Sequence, residues 1–271
     1  METPQQISHY PSWPPPPLPV VQEMTVTESH ACSYLPGRLA TFRAFQAGRM
    51  NGEEYQQWMD AGFRRSGAIV YQPACAGCRA CVPLRVPVER LALSKSQRRA
   101  LRRNADLRVR VARPRPTAEK WELYDRYQRE WHDGKQAGDL LAFVSFLYRS
   151  PVETVEFEYR DGEKLIGVGL CDVSTKSVSS VYFYFDPAEA GRSLGTFSAL
   201  YEILWAREMK IPYWYAGYWI SGCGTMEYKA RFRPCEALGT DGEWRVVTGI
   251  GHRQTQDLLR LNLLRGEIVE F

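Results

Sequence analysis

The chain has 271 residues, of which 44% are hydrophobic and 13% aromatic, and its formal net charge is +4. This composition is that of a globular protein of one large domain or two small ones. No apolar run approaches the roughly 20 residues that span a bilayer, and the N-terminus lacks the pattern of a secretory signal. We therefore expect a cytoplasmic protein without a membrane partner, whose seven cysteines are free thiols or metal ligands.

The first half of the chain predicts a tail followed by a small subdomain. Residues 1–24 are rich in proline, which is typical of a disordered tail. Residues 25–112 predict an N-terminal subdomain that contains three of the seven cysteines in one short run. Its predicted elements are a helix over 52–60, strands over 66–73 and 81–88, a helix beginning near Ser94 and a strand over 107–113.

The second half predicts a mixed domain over residues 113–250, after a proline-containing linker at 112–117, and a C-terminal tail over 251–271. Helices are followed by antiparallel strands, a helix and a strand, which indicates an α/β (α+β) fold. This succession resembles an acetyltransferase-like (GNAT-like) core, in which two central strands diverge and leave a notch for an acyl donor. The predicted elements are helices over 117–133 and 139–150, strands over 152–160, 164–173 and 177–187, a helix over 193–210, and strands over 213–220 and 243–247.

Positive charge is concentrated in one segment. Residues 85–115 hold eleven Lys and Arg residues against two acids, so the segment carries +9 and the remainder of the chain −5. Such segregation is typical of polyanion binding, although a solvated helix face is the alternative. Ser94 predicts an N-cap, and the cations after it recur at helical spacing. We predict that these cations bind nucleic-acid phosphates: Lys95, Arg98, Arg99, Arg102 and Arg103.

Sequence motifs of nucleophilic catalysis are missing. None of the four histidines lies in a Gly-x-Ser-x-Gly elbow or a His-Glu-x-x-His helix, so no Ser-His hydrolase is predicted. The segment GRSLGT (191–196) partly matches the loop by which acetyltransferases hold the coenzyme A pyrophosphate, with Arg192 and Gly195 in place. Phe197 occupies the final small position, and a simple turn that starts a helix is the alternative.

An aromatic strand followed by cations indicates a nucleotide-binding surface. The segment YWYAGYWI (213–220) leads through a glycine-rich turn to a short cationic stretch. Stacking surfaces combined with cations are used to hold single-stranded nucleotides, whereas plain core packing is the alternative. The candidate RNA-binding residues here are Tyr218, Tyr228, Lys229 and Arg231.

Seven stretches resemble the aminoacyl-tRNA-protein transferase family, which comprises the arginyl-transferases and the shorter bacterial aspartate/glutamate leucyltransferases. These stretches cover nearly everything from residue 30 to residue 240, and chain length and cysteine pattern resemble the bacterial branch. They are CSYLPGR (32–38), GFRRSG (62–67), YQPACAGCRACVPLRV (71–86), SKSQRR (94–99), VYFYFDP (181–187), SLGTFSALYEI (193–203) and YAGYWISGCGTMEYKARFRP (215–234).

The resemblance implies transfer of an amino acid, leucine in the bacterial branch, from aminoacyl-tRNA to proteins with N-terminal Asp or Glu, which marks them for degradation by the N-degron pathway. An amino acid esterified to tRNA is already activated, so the reaction needs positioning and removal of a proton, and no cofactor for the chemistry. This agrees with the missing nucleophile. A coenzyme A-dependent N-acetyltransferase is the alternative function, and a non-catalytic RNA-binding module is a third.

Two groups of polar residues are candidates for this chemistry. Asp186 is the candidate for orienting or deprotonating the amine, and Tyr182 or Tyr184 for positioning the ester, although an Asp before Pro is also a common turn residue. A guanidinium pairs bidentately with a carboxylate, so Arg64 or Arg65 is predicted to bind the acidic N-terminal side chain. The alternative is that the two arginines bridge surface acids or extend the tRNA surface. Further candidates for that site are Tyr71 and Arg85.

Four cysteines have the spacing of a metal site. Cys75, Cys78 and Cys81 form a C-x-x-C-x-x-C run, and Cys32 could complete four ligands for structural zinc or an iron-sulfur cluster. The arginyl-transferase relatives use a C-x-x-C and an adjacent C-C pair in this region. This sequence departs from that arrangement at Leu35 and Ala80. Packed apolar thiols are therefore the alternative.

Overall fold

The computed structural model describes residues 22–132, 134 and 138–247. The expected tail at 251–271, and the expected tail at 1–24 up to residue 21, lie outside the described residues. No helix in the described ranges is long and apolar enough to cross a bilayer.

A small antiparallel sheet forms from the region before residue 74. Its strands are ordered β1-β4-β6-β5. Strands β2 and β3, which lie between β1 and β4 in the sequence, form a separate two-stranded antiparallel sheet. The sequence predicted β6 but missed the others, which are only two to five residues long. The bounds are β1 Thr25–Val26, β2 His30–Ala31, β3 Leu39–Ala40, β4 Phe42–Gln46, β5 Arg64–Ser66 and β6 Ile69–Pro73.

The large sheet is mixed and has eight strands in the order β14-β13-β7-β12-β11-β10-β9-β8. Its predicted strands are confirmed, and β13 was missed. The sheet contains one parallel pair, β11 with β12, and all its other neighbours are antiparallel. The bounds are β7 Val82–Pro87, β8 Arg108–Ala112, β9 Thr154–Asp161, β10 Lys164–Val173, β11 Ser177–Phe185, β12 Tyr213–Trp219, β13 Glu236–Leu238 and β14 Trp244–Val246.

This sheet joins both halves of the sequence. Strand β7 lies between β13 and β12, and β8 forms the far edge against β9. The expected domain boundary at residue 112 therefore falls between two strands of one sheet. The segment expected as a separate N-terminal subdomain contributes two strands to the structure expected of the C-terminal domain.

Within the part of the chain that the structure describes, six α-helices surround the sheets, and most were predicted with bounds close to those observed. Ser94 caps α2 and Asn51 caps α1, each through a capping box. The helix expected over 139–150 is instead a short α-helix that continues as a π-helix, Val144–Tyr148. The bounds are α1 Gly52–Asp60, α2 Lys95–Arg103, α3 Ala118–Trp131, α4 Leu140–Phe143, α5 Leu194–Glu208 and α6 Gly224–Glu227.

Helices cover both faces of the large sheet, which makes the fold α/β. Successive side chains of a strand point to opposite faces. Tyr184 of β11 packs edge-on against Tyr124 of α3, whereas Phe183 contacts Tyr159 on the side of α5. Helix α5 is buried over most of its circumference, with eleven buried residues. The main hydrophobic core therefore lies between α5 and the sheet, with a second layer beneath α3.

The parallel pair of strands separates after a short contact. The ladder joins Ser177, Val178 and Ser179 to Tyr213, Trp214 and Tyr215. Beyond these pairs, β11 continues to Phe185 and β12 to Trp219 without further pairing to each other. Two diverging strands leave a wedge of space in the middle of the sheet, and the candidate site occupies this position.

Candidate functional site

A cavity of about 650 Å³ opens where β11 and β12 diverge. Its walls come from both strands, from the first turns of α5, from the segment 224–229, and from strand β5 of the small sheet. The volume is within the range of small-molecule sites. Because elements distant in sequence meet around this cavity, it is the candidate active site.

Arg64 forms a positive wall of the cavity. Its guanidinium lies over the rings of Tyr215 and Tyr218, at 5.1 and 5.6 Å from the ring centroids. Nη1 donates to the backbone oxygen of Phe63 at 2.5 Å, but Nε and Nη2 are buried without a hydrogen-bond partner among the described residues. Leaving buried donors unpaired is costly, so these two N–H groups are suited to receive an anionic ligand.

Lys229 provides a second cation in the same cavity. Its Nζ lies 3.3 Å from the position that a Cβ on Gly217 would occupy, so the side chain lies against β12. Burial, reinforced by the charge of Arg64, lowers the pKa of Lys229 to about 8. Within the described part of the chain, no acid forms an ion pair with Arg64 or Lys229. The pair therefore gives this end of the cavity an uncompensated positive charge.

The other predicted carboxylate-binding residues are differently placed. Arg65 lines the cavity, but its guanidinium is paired bidentately with Asp172, at 2.7 Å (Nε–Oδ2) and 2.6 Å (Nη2–Oδ1). Burial opposes the charge of Arg65, yet Asp172 holds its pKa above the ordinary value. Arg85 lies outside the cavity lining, bound to Glu236 and stacked on aromatic rings. Tyr71 lines the cavity, and burial raises its pKa.

The three residues expected to act in catalysis do not meet at one point. Asp186 is buried and caps a short 3-10 helix, Pro187–Arg192, by accepting from the Ala188 N–H at 3.1 Å. Its Oδ2 also pairs with Lys164 at 2.8 Å and Arg126 at 3.1 Å. Although burial opposes ionisation, these partners lower its pKa, which weakens it as a base. The contacts correspond to the turn role that the sequence left open.

The two tyrosines of β11 also differ. Tyr182 lines the cavity and its hydroxyl accepts from Gln128 Nε2 at 2.8 Å. Tyr184 is fully buried on the side of α3, with its hydroxyl 3.3 Å from that of Tyr148, and is not part of the lining. Of the three candidates, Tyr182 alone therefore borders the cavity described here.

The sequence missed one acid in the lining, Glu202 of α5. It is 1% exposed, and its carboxylate accepts from Ser198 Oγ at 3.0 Å and Trp214 Nε1 at 2.9 Å. Burial raises its pKa. An acid inside the apolar helix sequence SALYEILWA was the available signal, because charged residues rarely face a core without a function or partner.

The basic helix α2 lies next to the mouth of the cavity. Lys95, Arg99, Arg102 and Arg103 are exposed, whereas Arg98 is half-buried and donates to the Leu93 carbonyl at 2.6 Å. Arg103 also donates to the carbonyl of Gly191, between the lining residues Ala190 and Ser193. The C-terminal turn of α2 therefore contacts the loop that borders the cavity.

The aromatic strand forms walls and does not present free stacking surfaces. Tyr218 is buried and its hydroxyl donates to the Gly62 carbonyl at 2.8 Å. Tyr228 is half-buried in the lining, and burial raises its pKa to about 12. Arg231 is exposed in the 3-10 turn Tyr228–Arg231. The structure thus brings Tyr218, Tyr228 and Lys229 into the cavity and leaves Arg231 on the surface.

The four cysteines proposed as metal ligands lie near one another. Burial, with contributions from Cys75, Cys32 and Cys78, raises the pKa of the Cys81 thiol to about 12. No three His, Cys, Asp or Glu side chains within the described residues are arranged to hold a metal ion. The side chains as placed thus do not fit a preformed site, and metal binding stays a prediction.

Comparison with known proteins places the chain in a family. Residues 30–99 match the model described as arginine-tRNA-protein transferase, N terminus, and residues 119–239 match that for the C terminus. An aspartate/glutamate leucyltransferase of Hahella chejuensis is 39% identical over 227 residues, which cover 82% of this chain and 95% of that protein. The corresponding protein of Ruegeria pomeroyi is 40% identical over 240 residues, with 85% and 86% covered.

Solved structures are similar at a coarser level. L-PGS from Bacillus licheniformis matches with a TM-score of 0.41 and 12% identity, over 73% of this chain and 64% of that chain. The matches to both terminal family models, in the order of the chain, and the identity over most of its length lead to one conclusion. The chain belongs to the arginine-tRNA-protein transferase family.

Proposed function

We propose that this protein transfers leucine from leucyl-tRNA to the N-terminal α-amine of proteins that begin with Asp or Glu. The relatives with about 39% identity carry the name aspartate/glutamate leucyltransferase. The structural observation that carries the proposal is the pair of buried N–H groups of Arg64, Nε and Nη2, which have no hydrogen-bond partner among the described residues and lie in the cavity wall with Lys229. A cavity with two uncompensated cations is suited to a ligand with a carboxylate.

The reaction requires little beyond positioning. The neutral α-amine of the acceptor attacks the ester carbonyl; an amide C–N bond forms, the ester C–O bond breaks, and the proton lost by nitrogen is gained by the departing ribose oxygen. An α-amine with an ordinary pKa near 8 has an appreciable neutral fraction at physiological pH. Holding the amine close to the activated ester therefore supplies most of the acceleration. Tyr182, at the cavity wall, is our candidate for positioning the ester.

The cationic end of the cavity would bind the acidic side chain of the acceptor. Arg64 offers two N–H groups, Nε and Nη2, to a carboxylate, and the rings of Tyr215 and Tyr218 hold the guanidinium in place. We therefore assign this role to Arg64 rather than Arg65, whose guanidinium is bound to Asp172. Lys229, which the sequence suggested for tRNA, joins Arg64 in this assignment.

The donor would enter along the basic surface. We propose that the exposed cations of α2 bind the tRNA backbone and that the space between β11 and β12 is the GNAT-like notch that receives the aminoacyl end. Because aminoacyl-tRNA is a cytoplasmic donor, we also propose a cytoplasmic location. The Cys-containing region would then form the wall at the cationic end, since Tyr34 borders both the cavity and Cys81.

The alternative function, coenzyme A-dependent acetylation, is less compatible with the loop before α5. A pyrophosphate-binding loop needs free cations and N–H groups at the helix start. Arg192 instead forms ion pairs with Asp106 at 2.9 Å, Asp161 at 2.9 Å and Glu189 at 3.0 Å. The guanidinium that would bind the pyrophosphate is therefore already paired with three carboxylates.

The direct test is a comparison of donors. The protein is incubated with a peptide beginning with Asp and, in parallel, with labelled leucyl-tRNA, arginyl-tRNA and acetyl-CoA. Label that moves to the peptide from leucyl-tRNA, and not to a peptide with an acetylated N-terminus, is the expected result. Transfer from acetyl-CoA alone would favour the alternative, and transfer from arginyl-tRNA alone would correct the identity of the amino acid.

Charge reversal on α2 should weaken tRNA binding and its salt dependence together. We expect the Arg99→Glu/Arg102→Glu variant to reduce the slope of log affinity against log salt by about 1.4 to 1.8, because each lost phosphate contact removes about 0.7 to 0.9. Both side chains are exposed, so folding should be unaffected. Filter binding of leucyl-tRNA at several salt concentrations measures the slope.

The matched control for this variant is Lys210→Glu. Lys210 is exposed and follows the C-terminal end of α5, far from the cavity, so the same kind of charge change should leave the salt slope unchanged. Lys210→Glu reverses one charge and the α2 variant reverses two, so a fall in slope half as large for Lys210→Glu would mean that net charge, and not the α2 surface, determines the affinity.

Selectivity for acidic N-termini should fall as the pH rises through about 8. Burial and Arg64 lower the pKa of Lys229 to about 8, so its positive charge is present below this pH and is lost above it. The ratio of kcat/KM for peptides beginning with Asp and with Asn isolates this effect, because titration of the α-amine contributes nearly equally to both. We expect Lys229→Met to have a lower ratio that no longer changes between pH 7 and pH 9; a wild-type ratio independent of pH would contradict the assignment.

A further inference from the structure

The cavity contains a negative pole as well as a positive one. Among the described residues that line it, Glu202 is the one carboxylate. Ser198 Oγ and Trp214 Nε1 donate to it, and the neutral side chains of Ser180 and Cys171 also contact it. Tyr159 in turn donates to Ser198 at 3.0 Å. No Lys, Arg or His of the described chain forms an ion pair with Glu202. The acid is therefore buried without a positive counterpart.

The surrounding packing holds this carboxylate in a fixed position. Glu202 is 1% exposed, and a Cβ at Gly169 would stand 3.4 Å from its Oε1 and 3.2 Å from Ser198 Oγ, so β10 passes close to it. The side chains around this carboxylate, Ser180, Ser198, Trp214 and Cys171, are all neutral, so none of them compensates a negative charge. A buried charge is favourable only when a partner of opposite sign is supplied. A ligand that enters the cavity can supply it.

We propose that Glu202 binds the free α-ammonium of the aminoacyl group that is being transferred. This inference rests on the proposed leucyl transfer. The aminoacyl ester bears a primary ammonium beside the reacting carbonyl, and this nitrogen forms and breaks no bond to carbon in the transfer, so it can stay protonated. The acceptor amine, by contrast, must be neutral to attack, so a site that stabilised its ammonium would oppose the reaction. A leucyl side chain would find apolar neighbours in the same lining: Phe183, Ala199, Ala216 and Met226.

The proposal assigns the cationic end and the anionic residue of the cavity to different reactants. Arg64 and Lys229 bind the carboxylate of the acceptor, and Glu202 binds the ammonium of the donor. The enzyme should then reject donors whose α-nitrogen is absent or uncharged, even when ester and side chain are unchanged. A site built around a buried charge discriminates strongly against a ligand that lacks the complementary charge.

The test compares leucyl-tRNA with its α-hydroxy analogue, obtained by nitrous acid deamination, in which a hydroxyl replaces the ammonium. For the wild-type protein we expect kcat/KM to favour leucyl-tRNA on the order of 10²-fold. In Glu202→Gln the preference should nearly disappear, because kcat/KM falls for leucyl-tRNA and stays within about threefold for the analogue. Glu202→Asp retains the charge on a side chain that is one methylene shorter, so it should lose less of the preference for leucyl-tRNA. This variant replaces Glu202→Gln in the test if Glu202→Gln does not fold.

Trp214→Phe is the matched control, because it removes a hydrogen bond to Glu202 without removing the charge. It should retain the preference for leucyl-tRNA even where it lowers stability. If Glu202→Gln slows both donors by the same factor, Glu202 has a structural or general-base role and the proposal is overturned. A wild-type protein that uses both donors equally would also overturn it, while leucyl transfer itself would stand; a wild-type protein that uses neither donor would overturn the transfer function together with it.

Discussion

Replacing Arg64 with alanine should raise the KM for peptides with N-terminal Asp or Glu at least about 30-fold, which corresponds to the lower end of the 2–5 kcal/mol expected for losing one partner of a buried charge pair. The unpaired Nε and Nη2 of Arg64 face the cavity, and in the variant a bound carboxylate would lack these donors. Steady-state kinetics with the peptide varied at saturating leucyl-tRNA measure the effect.

The peptide itself provides the first control for Arg64. A peptide that begins with Asn has the same shape as the Asp peptide and no side-chain charge, so its kcat/KM should change much less in Arg64→Ala. Affinity for leucyl-tRNA should stay close to wild type. Arg64→Lys should give an intermediate KM, because an ammonium keeps the charge and loses the planar fork. If Arg64→Ala weakens tRNA binding and treats Asp and Asn peptides alike, this arginine belongs to the nucleic-acid surface.

Elements with strong local signals were predictable from the sequence. The periodicity of α3, the mostly apolar run of α5, the Ser94 cap of α2 and the continuous strand β10 depend on neighbouring residues, and the structure confirms all four elements. The short strands of the small sheet and β13 were not predicted. Two to five residues carry too little periodicity, and their hydrogen bonds go to partners distant in the chain. The insertion of β7 beside β12 is likewise a long-range event.

The candidate site, like the fold, was predictable from the sequence only in part. Composition and spacing identified the basic helix and the arginine pair, but they could not distinguish Arg64 from Arg65. The two neighbours project from opposite sides of β5, and Asp172, the partner of Arg65, is 107 residues away. Asp186 has a favourable sequence context for catalysis, yet Lys164 and Arg126 occupy its carboxylate. Local sequence indicates which residue types are present, and the tertiary structure decides which of them are already paired.

The Arg65–Asp172 pair should contribute more to stability than any ion pair on the surface. Asp172 is fully buried and also accepts from Tyr55 OH at 2.9 Å and Thr154 Oγ1 at 2.8 Å, so it joins α1, β5, β9 and β10. We expect Asp172→Ala to lower the free energy of unfolding by about 3–5 kcal/mol, because it leaves the Arg65 charge buried without a partner. Urea denaturation followed by fluorescence measures the change.

A double-mutant cycle separates the pair from the network around it. If the cost of Asp172→Ala comes mainly from the stranded guanidinium, then adding Arg65→Met should recover part of the lost stability, since no charge then remains to be buried. The matched surface control is Arg129→Ala, which breaks an exposed pair with Asp125 and should change stability by less than about 0.5 kcal/mol. Losses from Asp172→Ala and Arg65→Met that simply add would contradict coupling between the two residues. In that case Arg65 would be free of Asp172 in solution and would again compete with Arg64 for the substrate carboxylate.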